Sequence, residues 1–584
     1  MCGRRDHARF QLRERRWGRN REENPSSVHQ LFQLLAGCPA TTTPQREREK
    51  NIPKMAPTSI KSVLISESVD PRCRTILEEN GIQVTEKQNM KKEELIAEIG
   101  LYDGLVVRSA TKVTADIISA AHNLKIIGRA GTGVDNVDVD AATHKGIIVM
   151  NTPSGNTISA AELTCALLMS LSRNVPQAAM SMKQGNWDRK KFMGSELFGK
   201  VLGIVGLGRI GKEVATRMQA FGMKTIGYDP ITPPEVTASW GVEQMSLEQL
   251  WPLCDYITVH TPLMPSTVGL LNDDTFAKCK KGVKVVNCAR GGIIDEAALL
   301  RALESGQCGG AGLDVFNEEP PKNRSLVDHP NVISCPHLGA STKEAQARCG
   351  EDIAQQIVDM VKGKNLVGAV NAQVLASTFS QESHLLIKLG ESLGALLQSC
   401  SAAKKPLSRV QITTQGECMK SCAGYMKSAV LVGLLSQDTE RRPNLINVLS
   451  LSKQKEIEVS QTHGASEGDG VCKVELVASG YSYSVSGSVQ GGVPVLLELN
   501  GSMFRQPIAL CGNLLFLKAS GGPQLLSSLA GVLTANGVEI QSFSAPTAHP
   551  EDPWHCVGVS SLLPDLSVLK PLCSRAHGAV NPRD

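Results

Sequence analysis

Arg290 follows the apolar run VVNCA, Glu319 stands in the segment NEEPP, and His337 follows VISCP. A guanidinium, a carboxylate and an imidazole in that order could take a proton from a hydroxyl beside a carboxylate, the proton half of an alcohol oxidation. Histidine titrates near neutrality and can take and return such a proton. A carboxylate on its second ring nitrogen would fix the tautomer and raise the basicity, a part that falls to Glu319. The planar fork of Arg290 suits a bidentate grip on a carboxylate and polarises a developing carbonyl. Each residue taken alone also has a plain reading: His337 as a loop residue beside proline, Arg290 as a surface charge, Glu319 as a solvated side chain.

The hydride half needs an acceptor, and one motif offers a place for it. Gly206, Gly208 and Gly211 form GxGxxG between an apolar strand pattern, KVLGIV, and a helical one, RIGKEVATRMQAF. The first glycine permits a tight turn, the second lets backbone approach a pyrophosphate, and the third allows close packing of helix on strand. The helix start at Arg209 and Ile210 presents amides and a dipole that suit a diphosphate. Asp229 ends the next strand 23 residues after Gly206, where a carboxylate accepts from ribose hydroxyls and repels a 2′-phosphate. NAD is therefore the cofactor expected, in preference to NADP. On the plainer reading the glycines only make a turn and Asp229 caps a strand end.

These residues need elements to hold them. From Val63 to about Pro153, short β-branched runs alternate with polar helical stretches, which implies a parallel sheet. Ser159 and Glu162 have the spacing of a capping box and predict the start of an apolar helix to about Ser172, leading into a second unit. In that unit six apolar runs between 200 and 337 predict a doubly wound α/β sheet of six strands. Arg290, Glu319 and His337 would then gather at the carboxyl ends of its strands, where open sheets bind ligands. Beyond about 365 the rhythm turns to hairpins between 474 and 499, and the last part reads as a small βαββα module.

Composition narrows the alternatives. A chain of 584 residues is too long for one core and predicts three or four domains. Hydrophobic and charged fractions of 41% and 20% fit globular domains nearly throughout. Residues 1–54 hold 12 Lys+Arg and 6 Asp+Glu, leaving 49 and 51 for the rest, so the body carries no general basic face for nucleic acid. That first segment is polar and aperiodic, which predicts a disordered extension; its acids oppose a mitochondrial presequence, and Met55 is the plainer start. Seventeen cysteines lack CxxC pairs or metal-spaced histidines, and Cys165, Cys254 and Cys288 sit in apolar runs, as buried reduced thiols of a cytoplasmic protein would. No apolar stretch is long enough for a membrane span, and no metal is expected.

The segments ARGG (289–292), LDVFNEEPP (313–321) and CPHLGAST (335–342), in this order, resemble the D-2-hydroxyacid dehydrogenase family. The resemblance implies catalytic roles for Arg290, Glu319 and His337. It also implies cofactor contacts from Thr132, Arg209, Ile210, Asp229, Thr261, Cys288, Ala289, Arg290 and Asp314, and from the run His337, Leu338, Gly339 and Ala340. The architecture implied is α/β with two doubly wound parallel-sheet domains. A Rossmann cofactor domain (156–337) is inserted in a flavodoxin-like substrate domain (58–155 and 338–362). Smaller α+β domains follow: an intervening domain (366–508), an ACT-like module (512–570) and an irregular tail (571–584). A homo-oligomer, a tetramer in the family's pattern, is implied as well.

VRSATKVTAD, GRAGTGVDNVD and GNWDRKKFMG are similar to the branch of the family that handles a phosphorylated hydroxy acid. Such a substrate carries roughly three negative charges, so cations beyond Arg290 are expected in its pocket. Arg108 and Arg129, at strand ends of the first unit, and Arg189 and Lys190, after Trp187, are the candidates; Lys191 reads as solvated. A glyoxylate or hydroxypyruvate reductase, and more remotely an NAD-sensing corepressor on the same fold, are the competing readings. The two-part C-terminal half argues against both. The end KPLCSRAHGAVNPRD lacks the helical character of the family's last segment, which puts the last module in question.

Overall fold

The computed structural model describes residues 60–372 and, with short breaks, 381–580. The extension expected over 1–54 lies outside the described residues. The first sheet contains β1 (Ser62–Ile65), β2 (Gln83–Glu86), β3 (Gly104–Val107), β4 (Ile126–Arg129) and β5 (Ile148–Asn151), all parallel in the order β2-β1-β3-β4-β5. That is the flavodoxin-like order. All four residues of β3 are buried and three of the four in β4, so GLVV and IIGR show apolar runs instead of alternation.

The helix α1 (Thr157–Arg173) carries the chain into a second unit and continues past Asn174 into α2 (Val175–Lys183). α1 begins at Thr157, with Asn156 at the N-cap position, so the capping box expected at Ser159 is not formed. Ser159 already lies inside the first turn, buried, and its hydroxyl pairs with that of Thr342 at 2.5 Å. Glu162 instead reaches Arg217 at 3.9 Å.

The second sheet contains β6 (Val201–Val205), β7 (Lys224–Tyr228), β8 (Glu243–Gln244), β9 (Tyr256–Val259), β10 (Val283–Asn287), β11 (Cys308–Leu313) and β12 (Val332–Ser334). Its order, β12-β11-β10-β9-β6-β7-β8, is a Rossmann order with one strand added. The strand not expected is β8, whose two residues are too few to show periodicity. The helix α3 (Arg209–Ala220) follows β6 and buries Val214, Ala215 and Met218 in a core shared with α1.

The helix α4 (Lys343–Val361), capped by Thr342, then returns the chain to the first sheet. Cys349, Ile353 and Ile357, at four-residue spacing, close the core over Val63, Ile126 and Met150. The chain thus crosses between the two units twice, near 152–157 and near 339–343. The return reaches further than the expected boundary at 362. The Val370 amide bonds to Val149 and Ala369 bridges Met150, which ties 366–372 to the first unit, not to the intervening domain.

Beyond the break, α5 (Gln381–Ser401) and α6 (Met426–Leu434) pack on a six-stranded sheet. Its strands are β13 (Arg409–Gln415), β14 (Glu458–Gly464), β15 (Val471–Ala478), β16 (Tyr481–Gln490), β17 (Val493–Leu499) and β18 (Ser502–Ala509). β15 to β18 form the expected antiparallel hairpins, while β13 and β14 pair in parallel at the other edge.

The last module runs β19 (Asn513–Lys518), α7 (Leu525–Ala535), β20 (Ile540–Ser544), β21 (Trp554–Val559), a short 3₁₀ turn at Leu566–Leu569, and β22 (Arg575–Val580). The order β20-β21-β19-β22 leaves β19 paired on both sides. The tail expected to be irregular therefore supplies a strand. β19 offers an open edge, and RAHGAV satisfies its amides and carbonyls although its sequence shows little alternation. Leu510, Leu514, Phe516 and Trp554 share a core with α5 and α6, so the two C-terminal modules are packed together.

Candidate active site

The loops that would hold a dinucleotide meet where the strand order of the second sheet reverses, between β6 and β9. Gly206 has φ +96°, a conformation open to glycine, and a Cβ on Gly211 would lie 2.2 Å from the Gly206 carbonyl. No heavy atom lies within 4 Å of a Cβ placed on Gly208, the residue that caps α3. The loop is therefore a narrow cradle with room above it. The Thr261 hydroxyl, on the neighbouring loop, is buried without a hydrogen-bond partner. An open cradle at a helix start beside an unsatisfied hydroxyl fits a dinucleotide diphosphate.

Asp229 serves the loop first. One oxygen accepts from the Leu207 amide at 2.7 Å and the other from the Ile231 and Thr232 amides at 2.8 and 2.9 Å. Of roughly four acceptor positions on a carboxylate, one remains for a ribose hydroxyl. Both sequence readings of Asp229, strand-end cap and ribose acceptor, are thus compatible in one side chain. Arg209 leans on the Pro153 carbonyl at 3.5 Å, and Ile210 packs into the adjoining core. The Thr132 hydroxyl bonds to Thr152 and Asn156. Burial pushes the Cys288 thiol up to about 12, so it is a neutral wall residue.

The proton-transfer residues converge at the ends of β10, β11 and β12. Asn287 ends β10 and folds its side chain over the next turn, donating to the Arg290 carbonyl and accepting from the Ala289 amide. Gly291 then passes so close to the chain at Phe316 that a Cβ would lie 2.0 Å from its carbonyl oxygen. That approach brings the Arg290 loop against the loop of Glu319. Glu319 accepts from the Phe316 amide at 3.1 Å and from His337 Nδ1 at 2.7 Å. Among the described residues His337 Nε2 makes no hydrogen bond. Burial works against the Glu319 carboxylate, but the bonds from His337 and Phe316 outweigh it and hold its pKa below the ordinary value. The same bond to Glu319 raises the pKa of His337 against a smaller opposing effect of burial.

His337 has φ +54°, a left-handed conformation that costs a residue with a Cβ roughly 1–2 kcal/mol. Asp314 holds it there. Its buried carboxylate accepts from the Leu338 and Gly339 amides at 2.7 and 2.8 Å, and its carbonyl accepts from the His337 amide. Burial raises the pKa of Asp314, with the two amides opposing. The run to Ala340 is thereby fixed beside the cofactor loop.

Across from this group, the first unit presents cations. Arg129, at the end of β4, has its Nε buried without a hydrogen-bond partner. Arg129 lies over Gly131 and Arg290 over Gly133, two residues apart on one loop. Burial first, and then the charge of Arg290, lowers the Arg129 pKa, with Asp135, Cys349 and Glu67 opposing. Arg108 follows β3; its backbone amide is held by Glu67 and its Nη1 reaches the Ser68 carbonyl. β3 and β4 are parallel neighbours, so Arg108 and Arg129 stand at the same end of the first sheet. Asp135, which the sequence reading missed, bridges the units by accepting from Arg290 Nε at 2.8 Å.

Arg189 and Lys190 do not join this group. They lie on an exposed turn after α2, and among the described residues no hydrogen bond or ion pair links them to it. The turn follows a helix instead of a strand, so the sheet topology does not deliver it to the strand ends.

An open cradle for a dinucleotide, a carboxylate-tuned histidine and neighbouring arginines, on a Rossmann unit inserted in a flavodoxin-like one, define a D-2-hydroxyacid dehydrogenase. Residues 165–339 match the family described as "D-isomer specific 2-hydroxyacid dehydrogenase, NAD binding domain", and residues 384–500 match "D-3-phosphoglycerate dehydrogenase intervening domain". D-3-phosphoglycerate dehydrogenase of Homo sapiens is 57% identical over 524 residues, covering 88% of this chain and 98% of the relative. That of Bacillus subtilis is 39% identical over 482 residues, covering 82% and 90%. A crystal structure of a glyoxylate reductase from Paecilomyes thermophila is 30% identical, with a TM-score of 0.50, covering 54% of this chain and all of its own. The chain belongs to the D-3-phosphoglycerate dehydrogenase family.

Proposed function

We propose that the chain oxidises 3-phospho-D-glycerate to 3-phosphohydroxypyruvate with NAD, the first step of the phosphorylated route to L-serine. The observation that carries the reading is the half-buried Arg129, its Nε without a partner, sharing the 131–133 loop with Arg290 near the His337–Glu319 pair. A buried guanidinium N–H without an acceptor is costly, and an anionic substrate relieves that cost. Arg290 takes the substrate carboxylate in its fork. Arg129 and Arg108 take the phosphoryl group. His337 Nε2 accepts the proton of the C2 hydroxyl, while Glu319 stabilises the imidazolium through Nδ1. NAD, when bound, accepts the hydride from C2. Gly206, Gly208, Gly211, Arg209, Ile210 and Thr261 would hold its diphosphate side, and Asp229 its ribose.

The test is NADH formation at alkaline pH with product removed, comparing 3-phospho-D-glycerate with D-glycerate. A large preference for the phosphorylated acid is expected, and equal rates refute the assignment. The proposal extends to a cytoplasmic homo-oligomer. Exposed Val175, Met180, Trp187, Met193 and Phe198 crowd into one segment, an apolar load a lone chain would leave in water. A sedimentation mass equal to one chain would exclude it.

A further inference from the structure

A cavity of about 380 Å³ opens far along the chain from the cleft, where α5 and α6 meet the last sheet. Its size falls in the range of about 300–1,000 Å³ typical of small-molecule sites. Glu391, Ala395 and Gln398 line it from one face of α5, at the i, i+4, i+7 spacing that stacks side chains on a helix. Val432 comes from α6, Leu514 and Phe516 from β19, and Gly578 from β22, so the wall is shared by the two C-terminal modules.

Glu391 gives the cavity its chemistry. Among the described residues its carboxyl makes no hydrogen bond or ion pair, and the charge that offsets its burial is Lys388, three positions earlier on α5. Burial pushes its pKa up to about 7, against the smaller effect of Lys388. No Lys, Arg or His is among the described residues that line the space. A ligand bearing a carboxylate or phosphate would bring a second negative group with no cation to receive it. That disfavours phosphorylated hydroxy acids and α-amino acids alike, since only neutral donors such as Ser399, Ser436 and Gln437 would meet the anion. A single ammonium, by contrast, would supply a counter-charge inside the cavity, where Lys388 does not reach, and the apolar wall asks for a hydrocarbon body.

We propose that this cavity is a binding site for a small monocationic amine, its ammonium on the Glu391 carboxylate and its apolar body against Leu396, Val432, Leu514 and Phe516. Such a ligand bridges the intervening domain and the last module and belongs to neither the substrate nor the cofactor site.

The experiment is calorimetric titration of the full chain with benzylamine, cyclohexylamine and butylamine, set against benzyl alcohol as the neutral counterpart. At least one amine is expected to saturate one site per chain, with benzyl alcohol at least tenfold weaker. Glu391→Gln is expected to weaken amine binding at least tenfold while leaving NADH formation unchanged. Ala395→Leu, which keeps the carboxyl and fills the space, is expected to abolish binding, and it decides the matter if the Gln variant folds poorly. The proposal is overturned if none of the three amines saturates, if benzyl alcohol binds as well as benzylamine, or if either folded variant keeps the parent affinity.

Discussion

Glu319 raises the pKa of His337. The hydrogen bond to Nδ1 favours the imidazolium, so the free base that accepts a proton dominates only above the ordinary histidine value of about 6.5. Glu319→Gln removes the negative partner, and the acid limb of the kcat/KM profile is expected to move to lower pH. A profile that stays in place would show that Glu319 acts elsewhere. Arg290→Gln and His337→Ala are each expected to lower turnover by roughly 10²–10⁴-fold while NADH still binds, as fluorescence titration can show. Asp135 occupies the guanidinium that a substrate carboxylate needs. Its exposed ion pair is worth up to about 1 kcal/mol, so Asp135→Asn is expected to lower KM by up to about fivefold with kcat little changed. A rise in KM would make Asp135 a support for Arg290 and not its competitor. The convergence of Arg290, Glu319 and His337 was legible because each follows an apolar run that ends on the same side of the sheet. Asp135 was not, since in GVDNVDVD nothing separates it from Asp138, which caps the helix Val139–Lys145.

Elements carry the cofactor. The cradle depends on Gly211 more tightly than the motif alone conveys, because the clash of an added Cβ is with the carbonyl of Gly206, the first glycine of the same loop. Gly211→Ala improves helix propensity yet must push loop and helix apart. At least a tenfold loss of NADH affinity is expected, with far-ultraviolet circular dichroism preserved; unchanged affinity would show that the loop yields freely. The strand-helix alternation was readable because buried parallel strands are uniformly apolar. The misreading of Ser159 has a physical cause: a Ser-x-x-Glu spacing satisfies free amides only when the serine stands just outside the helix, and here the turn begins two residues earlier. Within one chain Arg189 and Lys190 lie apart from the other cations, and a basic sequence next to an aromatic does not reveal which face of the fold it reaches.

For the whole molecule, the closing strand was the least legible part. β22 exists because β19 presents an edge, a condition set by residues some sixty positions away and invisible in RAHGAV itself. Removing 574–584 would bare that edge and part of the core around Phe516. The C-terminal module is expected to become protease-sensitive, while initial rates of NADH formation stay within about threefold of the parent. Loss of activity in step with proteolysis would show that the catalytic units depend on the last sheet.

The double crossing between the parallel-sheet units limits how they can move. Two adjacent strands of chain, braced by the Ser159–Thr342 hydroxyl pair, act as paired pins. Such pins favour a swing about the line between them over sliding or twisting. Arg129 can then approach or leave Arg290 along one arc, without any search for alignment.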